Sequence, residues 1–527
     1  MGGTNEPAAG EGRRIARAAG VVSAATGLSR VLGVVRDVVL AWAFGAGGAL
    51  DAFFVAFRLP NTLRRLFAEG SLTVAFVPVF VEVTEREGRG SAVRLGRRAL
   101  TLLAVVLTAV SALGVAGAPW IVRATAAGFG RDPAKFALTV ELTRWVFPYI
   151  ALIGLTALAG GMLNAWNVFG PPALAPVVLN VCLIAAALGL APFVDPPILA
   201  LAAGVLAGGV WQLALQVRAL GALGFRFRPD WAPADRHIRR ILGLMGPAVF
   251  GVAVYQVNIL VSTFLASWLP DGSVSYLYYA ERLFQLPLGL FAVAVGTAAL
   301  PSLSRLRARG DHEGFRRTLE DALAMTGLVV LPAAAGLAVL AGPIVGALFG
   351  RGAFGPAAVD ATARALAAYA AALAPVAGVR VVAPAFYSLG DTRTPVKASW
   401  WAFWVNLGAS LALMGPLKHV GLALATGISS AFNLAYLAWA LGRRGESLRL
   451  RALGRRLAPM AAGSAGMAAA VAAARPWLPG GGGVGALLAV LGLVAAGAVL
   501  YAGLARALGA REVGRVLAVV GRRLGRG

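Results

Sequence analysis

Apolar runs of about twenty residues, the length that crosses a bilayer core, recur along this chain from near residue 18 to near residue 508. Short breaks rich in glycine, proline and charge separate them, and none is long enough to hold a soluble domain. The runs are long and unbroken, unlike the ten-residue alternating segments of a membrane barrel. A backbone in lipid must satisfy its own hydrogen bonds, and such a run does so as a helix. The pattern predicts spans near 18–45, 50–82, 97–121, 138–167, 172–191, 198–220, 238–268, 274–304, 318–350, 360–388, 395–414, 418–441, 453–473 and 484–508. The expected fold is therefore an all-α polytopic membrane protein with about fourteen transmembrane helices. An even count puts both termini on one side.

Composition agrees. The 527 residues are 59% hydrophobic and 13% charged, where a soluble protein carries about 25% charged residues. The single cysteine, Cys182, sits in an apolar run and has no partner for a disulfide or a metal site. It reads as a small buried hydrophobe. Net charge is +25, from 48 basic and 23 acidic residues. In a soluble chain that excess would point to nucleic acid. Here the basic residues sort by membrane side. One side receives the clusters Arg13–Arg17, Arg86–Arg98, Arg226–Arg240, Arg305–Arg317, Arg443–Arg456 and Arg511–Arg526. The other receives little more than Arg123, Arg131, Lys135, Arg351, Lys418 and Arg475. The rule that cytoplasmic loops are positive then places both termini in the cytoplasm, and no nucleic-acid partner is needed. The N-terminal apolar run is interrupted by Arg30 and does not read as a cleaved signal peptide.

A weak internal repeat organises the spans. At an offset of 224, Ala56, Arg58 and Leu59 of the second segment meet Ala280, Arg282 and Leu283 of the eighth. Beyond a one-residue gap, Pro78 meets Pro301 and Pro172 meets Pro395. Units of six helices follow, helices 1–6 and 7–12, as parallel repeats about an axis along the membrane normal. The expected domains are a cytoplasmic tail (1–17), an N-lobe (18–220), an inter-lobe linker (221–237), a C-lobe (238–441), a second linker (442–452), a final helix pair (453–508) and a basic tail (509–527). Two-lobed carriers of this kind work by alternating access.

Most spans have uncharged middles, and the ionisable residues gather in a few. The first holds Arg30, Arg36 and Asp37 in "GLSRVLGVVRD". The second holds Asp51, Arg58, Arg64, Arg65 and Glu69, with Pro60 to open its backbone. The eighth holds Glu281 and Arg282, and the tenth Arg364 and Arg380. A charge at the bilayer centre costs about 2.5–3.5 kcal/mol even on insertion scales, so such residues face protein or water and are functional candidates. Arginine stays charged and grips phosphate through two N–H groups. Several arginines around one cavity suit a pyrophosphate better than a carboxylate. The blander reading is internal pairing, of Arg36 with Asp37 or Glu69 and of Arg282 with Glu281.

The stretches "SRVLGVVRD", "FGAGGALDAFFVAFRLPNTLRRLFAEG", "AFVPVF", "FALTVELTRWVFPYI", "LNAWNVFGPPALAPVVLN", "GSVSYLYYAERLFQLPLG" and "DTRTPVK" resemble the MurJ/MviN family. These are bacterial lipid II flippases of the multidrug/oligosaccharidyl-lipid/polysaccharide (MOP) exporter superfamily, which serve peptidoglycan biosynthesis, cell-wall biogenesis and cell shape. The resemblance runs colinearly from about residue 18 to 440. It implies transport of the undecaprenyl-pyrophosphate-linked disaccharide-pentapeptide, lipid II, from the inner to the outer leaflet of the bacterial inner membrane. It implies two lobes around a cationic cavity, and a groove for the lipid tail beside the last two helices. It places the family's essential arginines on Arg30, Arg36, Arg64 and Arg282, with Ser29 in the same pattern. Asp37, Asp51, Asn61, Glu69, Glu281 and Arg380 are supporting or gating positions. Lipid II and membrane lipids are the expected partners of a functional monomer, with the cell-wall synthesis machinery as a further one.

One departure bears on energy supply. Some relatives hold sodium with carboxylates on helices seven and eleven. This chain has no acid between Arg240 and Asp271 or between Asp391 and Glu446, only polar groups such as Asn258, Ser262, Asn406 and Ser410. That argues against sodium coupling and leaves the membrane potential as a source, at about 2.3 kcal/mol per charge per 100 mV. No cofactor is expected. The rival readings are export of another polyprenyl-linked glycan and drug export of the MOP type. Drug antiport wants an intramembrane acid facing a cation, whereas this set is net basic. An enzyme acting on lipid pyrophosphates needs a general base or metal carboxylates. The three histidines, His237, His312 and His419, lie near span ends and no intramembrane acids pair, so no enzyme is expected.

Overall fold

The computed structural model describes residues 6–64 and 72–514, without the side chains of 6–19, 63–74, 247–255, 290, 292 and 293. The helices are α1 (Glu6–Phe44), α2 (Gly48–Arg64), α3 (Leu72–Glu87), α4 (Arg89–Ala116), α5 (Ala118–Thr125), α6 (Pro133–Val146), α7 (Tyr149–Ala165), α8 (Gly170–Ala185) and α9 (Leu199–Ala222). They continue with α10 (Arg236–Ala266), α11 (Ser273–Pro287), α12 (Val293–Ala308), α13 (His312–Phe349), α14 (Pro356–Ser388), α15 (Arg393–Gly442), α16 (Leu450–Ala474) and α17 (Val484–Ala507). The described residues contain no strand. The fold is that of an all-α membrane protein.

Among the described residues nine helices are long and apolar enough to cross a membrane. Some expected spans are not among these nine. Of the second, α2 and α3 are described over 17 and 16 residues, and residues 65–71 lie outside the described ones. The eighth divides into α11 and α12, of 15 and 16 residues, with a π turn over Leu288–Ala292 after Pro287. The eleventh and twelfth run on as α15, whose helical path breaks at Lys418, at φ 51° and ψ −131°.

The chain divides into two compact units, residues 1–264 and 265–527. The partition thus falls inside α10 rather than in the 221–237 connection, and packing explains why. Ile238 and Ile241 at the start of α10 sit in one buried cluster with Phe76, Phe80, Leu95, Met162 and Leu220 of the first unit. Three arginines of α4 fasten the connection itself. Arg89 donates to the Leu223 carbonyl. Arg97 donates to the Arg226 carbonyl at 2.9 Å. Arg98 reaches Asp230 at 3.0 Å and Asp235 at 2.6 Å.

Small residues allow close helix contacts where lipid gives no hydrophobic drive for association. A Cβ at Gly204 of α9 would lie 2.7 Å from the Ala186 Cβ, and one at Gly208 2.8 Å from Leu179. In the second unit Leu303, Leu319, Val381, Phe386 and Leu441 join α12, α13, α14 and α15 in one core. Met460, Met467 and Tyr501 join α16 and α17 to α13 in another.

Candidate functional site

Helix α1 carries the first pair of intramembrane arginines and packs against α8. Arg36 is buried there. Its Nε and one terminal nitrogen donate to Asp37 Oδ1 at 3.0 and 2.6 Å. Its other terminal nitrogen donates to Asn180 Oδ1 of α8 at 3.0 Å. The amide nitrogen of Asn180 donates in turn to the Ser29 carbonyl at 3.2 Å. One carboxamide therefore holds both the guanidinium and the α1 backbone nearly two turns before it. Ser29 is half-buried and Arg30 is exposed. The two arginines thus differ in state: Arg36 is compensated inside protein, and Arg30 stands open beside it.

Asp51, in the first turn of α2, is also buried. Lys135 of α6 reaches its Oδ2 at 3.2 Å, and the same ammonium lies 4.0 Å from the centre of the Phe129 ring. Further along α2, Arg58 donates to the Thr263 hydroxyl of α10 at 2.5 Å. Asn61 is half-buried. Arg64 is the last described residue of α2, and its side chain lies outside the described residues, as do Arg65 and Glu69 entirely.

In the second unit Glu281 is half-buried and accepts from Gln285 Nε2 at 2.8 Å. Arg282 is exposed. It lies over the Tyr278 ring at 5.3 Å and donates to the Tyr278 hydroxyl at 3.2 Å. Stacking on an aromatic face orients the planar guanidinium. Arg380 is exposed on α14. A Cβ at Gly296 of α12 would come within 2.5 Å of the Arg380 carbonyl oxygen, so α12 presses closely on α14 at this residue.

In the first unit the structure brings Ser29, Arg36 and Asp37 into one network, with Arg30 beside it. It sets Asp51 in a separate pair. Two members of these networks escape a reading of the sequence. Asn180 is an amide in an apolar run, 144 residues from Arg36, with no charge to mark it. Lys135 stands out only as one of few basic residues on its side of the membrane. No group of three or more His, Cys, Asp or Glu that could hold a metal occurs among the described residues. Asn406 donates to the Ser429 hydroxyl at 3.3 Å.

A family model described as lipid II flippase MurJ matches residues 40–491. The lipid II flippase MurJ of Burkholderia cenocepacia is 40% identical over 433 residues, 81% of this chain and 84% of its own. A probable lipid II flippase MurJ of Bdellovibrio bacteriovorus is 33% identical over 514 residues, 96% of this chain and 97% of its own. A solved structure of the lipid II flippase MurJ, in an inward closed conformation, is 25% identical. It matches with a TM-score of 0.75 over 92% of this chain and 98% of its own. An inward-facing multidrug resistance MATE transporter of the MOP superfamily matches with a TM-score of 0.64 at 14% identity. That match covers 79% of this chain and 94% of the transporter, a likeness of fold.

Proposed function

The chain belongs to the lipid II flippase MurJ family, and from that premise we propose that it moves lipid II from the inner to the outer leaflet of the bacterial cytoplasmic membrane. The observation that carries this reading is the family match over 40–491, on a chain whose membrane helices bear arginines. The activity is transport and not catalysis. Both termini face the cytoplasm, on the side of the arginine-rich loops.

In this reading Arg30, Arg36, Arg64 and Arg282 bind the pyrophosphate while the polyprenyl tail stays in lipid beside residues 453–508. The six-helix lobes, 18–220 and 238–441, expose the headgroup site first to one face and then to the other. Exposed Arg30 and Arg282 supply first contact. Arg36 keeps Asp37 as counter-charge until the diphosphate arrives, since an uncompensated charge in lipid is costly. Asp37, Asp51, Asn61, Glu69, Glu281 and Arg380 hold or gate this set. The transport unit is a monomer working beside the cell-wall synthesis machinery. Membrane potential supplies the energy, without sodium and without a cofactor.

The test is transport by the purified chain in liposomes that contain lipid II. The expected result is that lipid II of the inner leaflet becomes reachable by a membrane-impermeant cleaving enzyme, while undecaprenyl phosphate without the sugar-peptide headgroup is not moved. A correctly inserted chain that leaves the inner pool protected, or that moves both lipids alike, refutes the reading.

A further inference from the structure

The second unit holds a cavity of about 650 Å³ where the end of α13, the start of α14 and the connection from α16 to α17 meet. Its size falls in the range of about 300–1,000 Å³ usual for small-molecule sites. The interior is apolar, with Ala338, Val339, Ala363, Ala367 and Val490 among its walls. Charge is confined to Asp360, Arg364 and Arg475. Arg364 reaches Asp360 at 2.7 Å, and both side chains are about two-thirds exposed, at 64% and 65%. Arg475 is exposed. One acid among two arginines leaves the cavity's charge at +1.

Packing builds the cavity into the fold. A Cβ at Gly482 would lie 2.7 Å from the Gly350 carbonyl oxygen. Glycine there lets the connection settle on the end of α13. A Cβ at Gly342 would likewise stand 3.2 Å from the Arg475 guanidinium. The level in the membrane follows from α13. Its first turns lie in the basic cluster Arg305–Arg317, and its 38 residues rise about 57 Å to the cavity end. Beside Arg475, Trp477 is 84% exposed, as an aromatic ring at headgroup level would be.

We propose that this cavity is a site for an anionic glycerophospholipid of the outer leaflet. The phosphodiester lies between Arg364 and Arg475, and an acyl chain enters the apolar interior. An apolar interior with a cationic mouth at an interface fits an amphiphile and not a soluble anion. The lipid is a resident ligand and not the cargo. The flippase reading supplies only the choice of leaflet, so the two claims fail separately.

The test uses the full chain purified in detergent, incubated with phosphatidylglycerol or phosphatidylcholine and examined by native mass spectrometry for retained lipid. Wild type is expected to retain phosphatidylglycerol preferentially. Arg364→Ala and Arg475→Ala are each expected to lower that retention about fivefold, the effect of about 1 kcal/mol per interfacial arginine. Arg455→Ala, an exposed arginine on another part of the fold, is expected to leave it unchanged. Inorganic phosphate in millimolar excess is expected not to displace the lipid. Equal retention of the two lipids, full retention by both cavity variants, an equal loss in Arg455→Ala, or displacement by free phosphate would each overturn the proposal.

Discussion

A guanidinium buried in a membrane helix must find compensation within its own length, and Arg36 finds it in the next residue. Asp37 was legible in the sequence as that partner because the two are adjacent. Asn180 was not, because an amide on a distant helix shows no pattern until the helices pack. Asn180→Ala leaves one arm of Arg36 and the Ser29 carbonyl without their partner, at about 1–3 kcal/mol. We expect the variant to insert normally and to transport lipid II about tenfold more slowly. Asn180→Asp, which still accepts from Arg36, should recover part of the rate. Transport at the wild-type rate in Asn180→Ala would show that the bridge does not position the arginine. Asp51 and Lys135 make a different point. Removing one partner of a buried pair costs about 3–5 kcal/mol, while replacing both by apolar groups costs little. Thermal unfolding in detergent should therefore show Asp51→Leu and Lys135→Met each strongly destabilised. The double variant should lie close to wild type, and additive losses would contradict the account.

Between elements, the informative places are breaks and clasps. The eighth expected span is divided by a π turn, and Pro287, written in the sequence, directly precedes it. The close approach of α12 to α14 was not legible, since Gly296 reads as one glycine among 67. Gly296→Ala forces a Cβ against backbone at Arg380, and we expect a loss of about 1–3 kcal/mol from overpacking, read as a lower unfolding temperature. An unchanged temperature would mean that the helices separate freely there. The turn between α14 and α15 carries a pH-dependent clasp. Asp391 Oδ1 accepts from the Arg393 and Thr394 backbone N–H groups at 2.9 and 3.0 Å. Arg444 reaches its Oδ2 at 2.5 Å. Burial pushes this carboxyl up, but the hydrogen bonds from Thr394 and Arg393 and the charge of Arg444 outweigh it and hold the group below its ordinary 3.8. A lowered value means that the ionised form stabilises the fold above the ordinary value and ceases to do so as pH falls through the lowered one. Hydrogen exchange at the Arg393 and Thr394 amides should stay slow from pH 7 down to about pH 4 and accelerate only below that. In Arg444→Ala the acceleration should begin at higher pH. No difference between the two would remove Arg444 from the clasp.

For the whole molecule, the apolar pattern marked the nine long apolar helices found among the described residues, because the bilayer fixes their length and forbids unpaired backbone. Where α11 and α12 replace the eighth expected span, the cause is the local π turn after Pro287. The junction between the units was less legible. The 221–237 connection looks like a linker by composition, yet Arg89, Arg97 and Arg98 fasten it to α4 and keep the start of α10 with the first unit. Candidate arginines were visible as charges in apolar runs, but whether each is compensated or open was not. That depends on Asp37, Asn180 and Tyr278 in space. The central claim is that these arginines receive a pyrophosphate. The most direct measurement is rescue of cells depleted of their own lipid II flippase, with outer-leaflet lipid II assayed for wild type and for Arg30, Arg36, Arg64 and Arg282 each changed to Ala. The account predicts that wild type restores outer-leaflet lipid II and that each variant, inserted at normal levels, does not. Rescue by all four variants would contradict it.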